Sequence, residues 1–351
     1  MKIKVSFLML LIGGLFAASL LPTTSQAKTQ DKKISITISA AGDCTFGSDI
    51  SSPASTNFYS VHQKVQNNAY FFHRVSSIFE KDDLSIVNLE GTLTKRGQRA
   101  PKTYAFRGNP SYVNILKKGH IEAVSFANNH CRDYGTVSYT DTCSTLKKRG
   151  IHYASYKKIS IYHTKGKKIG MVAVNGLENY TICKKQIQKG INKLKKRNAD
   201  IIIVSIHAGI EYTSQPNSTQ SSLSRYAVRQ GANLVLGHHP HVLQGIEKYR
   251  GAYIVYSLGN FCFGGNTNPP DKDTMIFQQK FTFQGNKLIK KQSPAKVIPC
   301  ALSSNPGINN YQPKIAGKNR YQRILKRLSR YSRPLGTAFR KKNGRLTNLL
   351  R

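Results

Sequence analysis

Seven side chains in this sequence share a setting and a chemistry. Asp43, Glu90, Asn129, His130, His207, His239 and His241 each lie just beyond a short, mostly apolar run. Together they offer carboxylate oxygens, an amide oxygen and imidazole nitrogens, a mixed donor set suited to borderline divalent ions such as manganese, iron or zinc. A pair of such ions needs a bridging carboxylate and several further ligands, and that inventory is present. Taken singly, most of these residues have an ordinary reading. Asp43 after Gly42 fits a turn, Glu90 fits the first turn of a helix, where the dipole favours a carboxylate, and His207 fits a core histidine. The stretch His238-His239-Pro240-His241 is different, because three imidazoles so close together have little packing rationale, and Gly237 before them frees the backbone to aim them.

The elements that must position these residues follow from hydropathy. Ile34, Ile36 and Ile38 alternate with small polar residues and read as a strand that runs into Asp43. Leu84 to Val87 and Ile121 to Ala127 read as strands leading to Glu90 and to Asn129-His130. Ile201 to Ile206 empties into His207, and Leu234 to Leu236 into the histidine cluster. Between them the patterning predicts helices over Tyr70 to Glu80, Pro110 to Gly119, Gly135 to Gly150, Lys184 to Asn198 and Thr219 to Gln230. A further strand is expected over Lys168 to Val174, with hairpin strands later in Leu243 to Glu247, Ala252 to Tyr256 and Ile276 to Phe283. Strands alternating with helices imply an α/β protein, parallel in the middle and antiparallel towards the end. Open α/β sheets take their ligands beyond the carboxyl ends of the strands, where all seven residues sit.

The blocks Gly42-Asp43, Asn88-Leu89-Glu90-Gly91, Ala127-Asn128-Asn129-His130 with Asp133-Tyr134-Gly135, His207-Ala208-Gly209-Ile210-Glu211, Gly237-His238-His239-Pro240-His241 and Ser257-Leu258-Gly259-Asn260-Phe261 occur in this order. In them the chain resembles the CapA family, named for poly-γ-glutamate capsule biosynthesis and part of the calcineurin-like metallophosphoesterases. The resemblance runs from about Ile34 to about Ala301. It implies a two-sheet α-β-β-α sandwich with two divalent ions (Mn, Fe or Zn) at one sheet edge, activating water for attack on phosphorus. It also implies metal ligation by Asp43, Glu90, Asn129, His207, His239 and His241, with His130 as general acid. His238, Glu211 and Asn260 are neighbours without an assigned role, since the family's His-x-His pair maps onto His239 and His241. Loops 51–68 and 96–108 follow no motif and are where substrate contacts are expected. The wider superfamily has Asp-x-His in its first motif, whereas this chain has Asp43-Cys44-Thr45, so one imidazole is missing. Cys44 is expected to pack structurally, as a partner of Cys262, or to take that place as a thiolate.

Composition bears on where the protein works. Lys and Arg number 54 against 16 Asp and Glu, a formal charge of +38 that favours polyanionic surroundings. Lys2 and Lys4, the apolar run Val5 to Leu21 and the Ser25-Gln26-Ala27 ending read as a secretory signal over residues 1–27, or as an N-terminal anchor. Either places the rest outside the cytoplasm and argues against nucleic acid. The expected partner is an anionic envelope polymer, of the poly-γ-glutamate or teichoic acid kind, or a membrane surface. A CapA- or metallophosphoesterase-like domain is expected over residues 34–302. Residues 303–351 contain no acid and many Lys and Arg, and read as a basic tail outside the core. Within it, Arg320 to Tyr331 has the pattern of an amphipathic helix with Ile324, Leu325 and Leu328 on one side. Two functions fit: a metal-dependent hydrolase of phosphoester or amide-linked polymer, or a non-catalytic protein that escorts such a polymer.

Overall fold

The structure is a computed structural model that describes residues 33–350. The expected signal or anchor over residues 1–27 lies outside the described residues. Period-two alternation sorts the strands' side chains onto two faces. In Ile201–His207, Ile201 and Ile203 point into a core shared between two sheets, while Ile202, Val204 and Ile206 pack outward under helices. Lys167–Asn175 divides the same way, with Met171 and Ala173 inward and Val172 and Val174 outward. Each of these strands is therefore apolar on both faces, as a parallel strand covered on both sides must be.

One sheet runs Ile246–Tyr249, Ala252–Val255, Leu234–His238, Ile201–His207, Lys167–Asn175, Ser160–Thr164, parallel over its middle four strands. In the other, Lys33–Thr45 pairs in parallel with Leu84–Leu89, and that strand with Ala123–Ser125 and then His152–Ala154. On its other side Lys33–Thr45 pairs antiparallel with Asp273–Gln284. The two inner faces meet in one apolar core, and helices cover both outer faces, giving the expected α-β-β-α sandwich. The helices Gly135–Lys148, Tyr180–Lys196 and Ser218–Gln230 fall close to the expected spans. Asn217 and Gln220 cap the last of these reciprocally.

Three expectations change. Tyr70 to Glu80 is helical only over Ser76–Phe79. The amide of Gln312 takes the Tyr70 carbonyl, and Phe71 turns to stack on Phe58 with ring centroids 4.7 Å apart. Residues 303–350 are no loose tail. The helix Lys318–Ser332 buries Ile324, Leu325 and Leu328 in the shared core, and Arg345–Leu350 joins the sheet of Lys33–Thr45, beside Ala295–Ala301. Arg320 and Arg323 reach the buried carboxylate of Asp273 at 2.8 and 2.7 Å, so an acid from an earlier strand offsets part of the helix's charge. Finally, Cys44 and Cys262 are both buried free thiols, with no disulfide between them. Burial pushes both thiols up, and Cys44 packs in the apolar cluster with Phe72, Phe79 and Cys262, outside the groups of ligand atoms that meet at Glu90.

Candidate functional site

Asp43 arrives at the end of its strand with its backbone N–H donated to Gly259 O at 3.0 Å. That closeness requires Gly42, where a Cβ would stand 1.8 Å from the same oxygen. Gly237 plays the same part before the histidine stretch, since a Cβ there would meet Tyr256 O at 2.0 Å. Its value is thus close backbone approach, and the conformational freedom expected of it belongs instead to the histidines. His239 and His241 have φ of 97° and 58°, left-handed values that a side chain adopts only when its surroundings hold it there.

The seven residues converge. Asp43 Oδ1 accepts from Asn88 Nδ2 at 2.9 Å and lies 3.2 Å from His238 Nδ1, and its Oδ2 lies 3.4 Å from His241 Nδ1. His207 Nε2 and Asn129 Oδ1 are 2.8 Å apart, and His241 Nδ1 and Asn260 Oδ1 also 2.8 Å. At the centre is Glu90, fully buried, with no hydrogen-bond partner among the described residues for either carboxylate oxygen. Its Oε1 stands 3.8 Å from the Nε2 atoms of His130, His207 and His241 alike. That is too far for hydrogen bonds and close enough for all of them to share a cation.

Burial pushes the Glu90 carboxyl well above its usual range, with the Asp43, Asp133 and Glu211 carboxylates adding to it against the pull of His241. Burial also holds His207 well below the usual imidazole value and takes His239 down to about 4, so both present neutral lone pairs. Burial would raise Asp43, but the His238 and His241 rings beside it keep it well below the carboxylate range. Ligand atoms of Asp43, Glu90 and His207 lie within 4.8 Å of one another, as do those of Glu90, His239 and His241. The two groups meet at Glu90. Burial would lower His241, but the Glu90 and Asp43 carboxylates raise it to about 10. A buried carboxylate without a hydrogen-bond donor among the described residues, with the neutral lone pairs of His207 and His239 gathered around it, fits a metal ion.

His130 is held from behind. Its Nδ1 and Asp133 Oδ2 are 2.6 Å apart, Lys102 Nζ donates to Asp133 Oδ1 at 2.9 Å and to Asn129 O at 3.0 Å, and the ring stacks on Phe106 at 4.2 Å. Asp133, Lys102 and Asn88 have no role assigned from sequence. Asp133 stands in a quoted motif three residues after His130, a spacing that could have flagged it. Lys102 belongs to a loop without pattern. In front of His130 a cleft of about 310 Å³ opens, lined also by Tyr104, Phe106, Glu211, Tyr212 and His241. Glu211 is therefore at the mouth, while Asn260 and His238 are buried beside Asp43 and His241. Ser51, Ser52 and Pro53 line the cleft as well, so both loops expected to contact substrate reach it. Thr45 is buried with its Oγ1 unpartnered among the described residues, at the sequence position where the wider superfamily has an imidazole.

Sandwich and cluster together define a protein of the metallophosphoesterase arrangement, with carboxylate and imidazole groups that could hold a metal ion gathered at the carboxyl ends of strands from both sheets. Within that class the chain belongs to the family described as bacterial capsule synthesis protein PGA_cap, whose profile matches residues 37–265. It is similar to the PGA biosynthesis protein CapA of Bacillus subtilis (strain 168), 33% identical over 213 residues that cover 55% of this chain and 56% of that one. It is also similar to the capsule biosynthesis protein CapA of Bacillus anthracis, 29% identical over 270 residues covering 67% of this chain and 65% of that one. The chain thus spans between half and two thirds of the length of these curated relatives. A hypothetical protein from Thermus thermophilus superposes with a TM-score of 0.45 at 14% identity, covering 75% of this chain and 99% of that one. Among the described residues no helix is long and apolar enough to cross a membrane.

Proposed function

We propose that this chain is an exported, metal-dependent hydrolase of the phosphoesterase type that serves capsule or envelope-polymer biosynthesis. The observation that carries the reading is Glu90 Oε1, unpartnered and 3.8 Å from three imidazole nitrogens. In this reading Glu90, Asp43, Asn129, His207, His239 and His241 would hold divalent ions of manganese, iron or zinc. When bound, such ions lower the pKa of water and offset charge that builds on a phosphoryl oxygen.

The chain's own residues supply the rest. Asp133 accepts the Nδ1 proton of His130 and so directs Nε2 towards Glu90 and the cleft. In the imidazolium form Nε2 also carries a proton, which it can hand to the leaving oxygen, leaving the neutral ring with its Nδ1–H on Asp133. Burial lowers His130, against the raising effect of Asp133. Phe106 stacks on the ring and fixes its plane. The export expectation rests on the Lys2 and Lys4 pair, the apolar run and the small-residue ending. Metal content and turnover of a chromogenic phosphodiester by wild type and His130→Ala test the proposal together. Absence of bound metal, or equal rates for the two proteins, sinks it.

A second reading, a non-catalytic escort of an anionic polymer, is favoured by the formal charge of +38 and by Thr45 in place of an imidazole. Polymer binding with metal bound but no turnover would single it out.

A further inference from the structure

Two exposed tyrosines frame the cleft in front of His130. Tyr104 and Tyr212 line its mouth and are 55% and 54% exposed. Tyr212 has a left-handed φ of 58°, and its N–H donates to Pro240 O at 2.8 Å, with its ring centroid 6.5 Å from that of His241. Burial pushes the Tyr212 hydroxyl up, with the Glu211 carboxylate and the Tyr104 hydroxyl adding to it, so the three groups share one neighbourhood. A ring held open to solvent on a strained backbone beside the reacting cluster calls for something to lie on it.

The charge of this cleft is the reverse of the chain's. The sequence holds 54 Lys and Arg, yet among the described residues none lines the cleft, and Glu211 does. The loop that carries Tyr104 has four cations, and each is turned to another partner. Arg96 pairs with Asp141, Arg99 with Asp49 and Lys102 with Asp133, while Arg107 lies over the Tyr134 ring at 4.1 Å. Apart from Glu211 and the two histidines, the lining is neutral. Ser51 gives its hydroxyl proton to Asp49 Oδ1 at 2.6 Å and so offers an acceptor. Asn266 has its Oδ1 taken by the Asn268 N–H at 2.8 Å, which leaves its amide N–H groups to donate.

We propose that the cleft takes the alcohol half of a phosphodiester, and that this alcohol is a neutral hydroxylated ring, a sugar. The C–H faces of such a ring are apolar and lie on Tyr104 and Tyr212, while its hydroxyls, which both donate and accept, meet Glu211, Ser51 and Asn266. An anionic alcohol would meet the Glu211 carboxylate with no Lys or Arg in the lining to offset it. A cationic one would suit Glu211 and the tyrosines but leave Asn266 without an acceptor. The proposal rests on the hydrolase reading of the same site and names its substrate class. In the reaction the oxygen of water bonds to phosphorus, and the bond from phosphorus to the ring's oxygen breaks with the electron pair left on that oxygen. His130 Nε2 gives that oxygen a proton, the proton that water gives up makes good the loss, and a phosphomonoester and the free sugar leave.

The test uses the full-length protein supplied with Zn²⁺ and the methyl phosphodiesters of glucose, choline and glycerate, whose alcohols are neutral, cationic and anionic. Release of methyl phosphate is followed by phosphorus NMR. Wild type should prefer the glucose diester at least tenfold in kcat/KM over either of the others. Tyr104→Ala/Tyr212→Ala should bring that preference below threefold, and Glu211→Gln should narrow the gap between glucose and glycerate. Tyr180→Ala, which removes an exposed ring outside the cleft, should keep the wild-type preference. Equal rates on the three diesters, a preference for choline, or a preference that survives the double substitution overturns the proposal. Calorimetric titration of His130→Ala with the same diesters reads the ring contact without turnover and should give the same order of affinity. Turnover by wild type and its loss in His130→Ala decide the hydrolase reading separately. Selective binding without turnover keeps the sugar contact and removes the hydrolase, and turnover without selectivity does the reverse.

Discussion

Glu90 Oε1 and His207 Nε2 face each other across 3.8 Å in a fully buried setting, with no donor among the described residues for either carboxylate oxygen. A cation between them would relieve the cost of that arrangement, and its removal should be felt in stability. Chelation is expected to lower the melting temperature. Restoring Mn²⁺ or Zn²⁺ at 100 times the dissociation constant should return about 2.7 kcal/mol. In Glu90→Gln the metal-free protein should be at least as stable as wild type, since a buried ionisable group is gone, while the gain on adding metal shrinks. Calorimetry with and without chelator reads both, and an undiminished metal effect in Glu90→Gln contradicts its role as a ligand.

His130 is positioned by Asp133 rather than by the ligand cluster. His130→Ala is expected to lower turnover by ~10²–10⁴-fold with metal content unchanged. Asp133→Asn should fall in the same direction by a smaller factor, because the ring remains but its tautomer and tilt are no longer set. Loss of metal in either variant, measured by elemental analysis, would reassign His130 as a ligand.

Gly237 precedes the strained histidines at a point where a Cβ would be 2.0 Å from Tyr256 O. Gly237→Ala should therefore cost about 1–3 kcal/mol or more, the scale of a forced overpacking. It should also weaken metal binding, since the strand must back away from its neighbour just where His239 and His241 are aimed. Urea unfolding and metal titration of the same variant check the pair of effects.

Asp82 gives a pH-dependence away from the cluster. Burial raises its carboxyl to about 7, helped by Glu122 and Asp83 and opposed by hydrogen bonds from Ser39 and Ser85. The folded value lies above the unfolded value of about 3.9. Its contribution is therefore fully present below about pH 4 and is lost as pH rises through about 7. Asp82→Asn should stabilise the protein at pH 8 by at most about 4 kcal/mol, at about 1.4 kcal/mol per pH unit, and much less at pH 4. Melting curves at the two pH values measure the difference, and an equal effect at both argues against a titrating Asp82.

The C-terminal helix is part of the fold. Leu325→Ala should destabilise the domain by about 2–5 kcal/mol, as for any large-to-small change in a packed core. Deleting residues 303–351 should leave a chain that no longer unfolds cooperatively, seen as loss of a single calorimetric transition. A stable truncated domain would restore the tail reading.

Much of the site was legible before the fold was. Strand ends followed by Asp, Glu, Asn or His are local patterns, and the donor types taken together suit a divalent cation. The parallel order in the middle of the chain followed from strands alternating with helices. Less could be read where a residue's partner is remote. Tyr70 to Glu80 has helical spacing, but Gln312 takes the carbonyl a helix would use. Arg320 and Arg323 looked like a solvated charge run because their acid, Asp273, lies in an earlier strand.

The sequence by itself determined which residues could ligate and that they would stand at the carboxyl ends of α/β strands, because residue type and hydropathy period are properties of short segments. Only the tertiary structure decided that Glu90 is the shared centre, that Lys102 and Asp133 hold His130, that Cys44 is a buried thiol, and that the last 48 described residues (303–350) close the core. Those outcomes depend on contacts between segments far apart in the chain, where distance, burial and the absence of a donor are set by packing and leave no local trace.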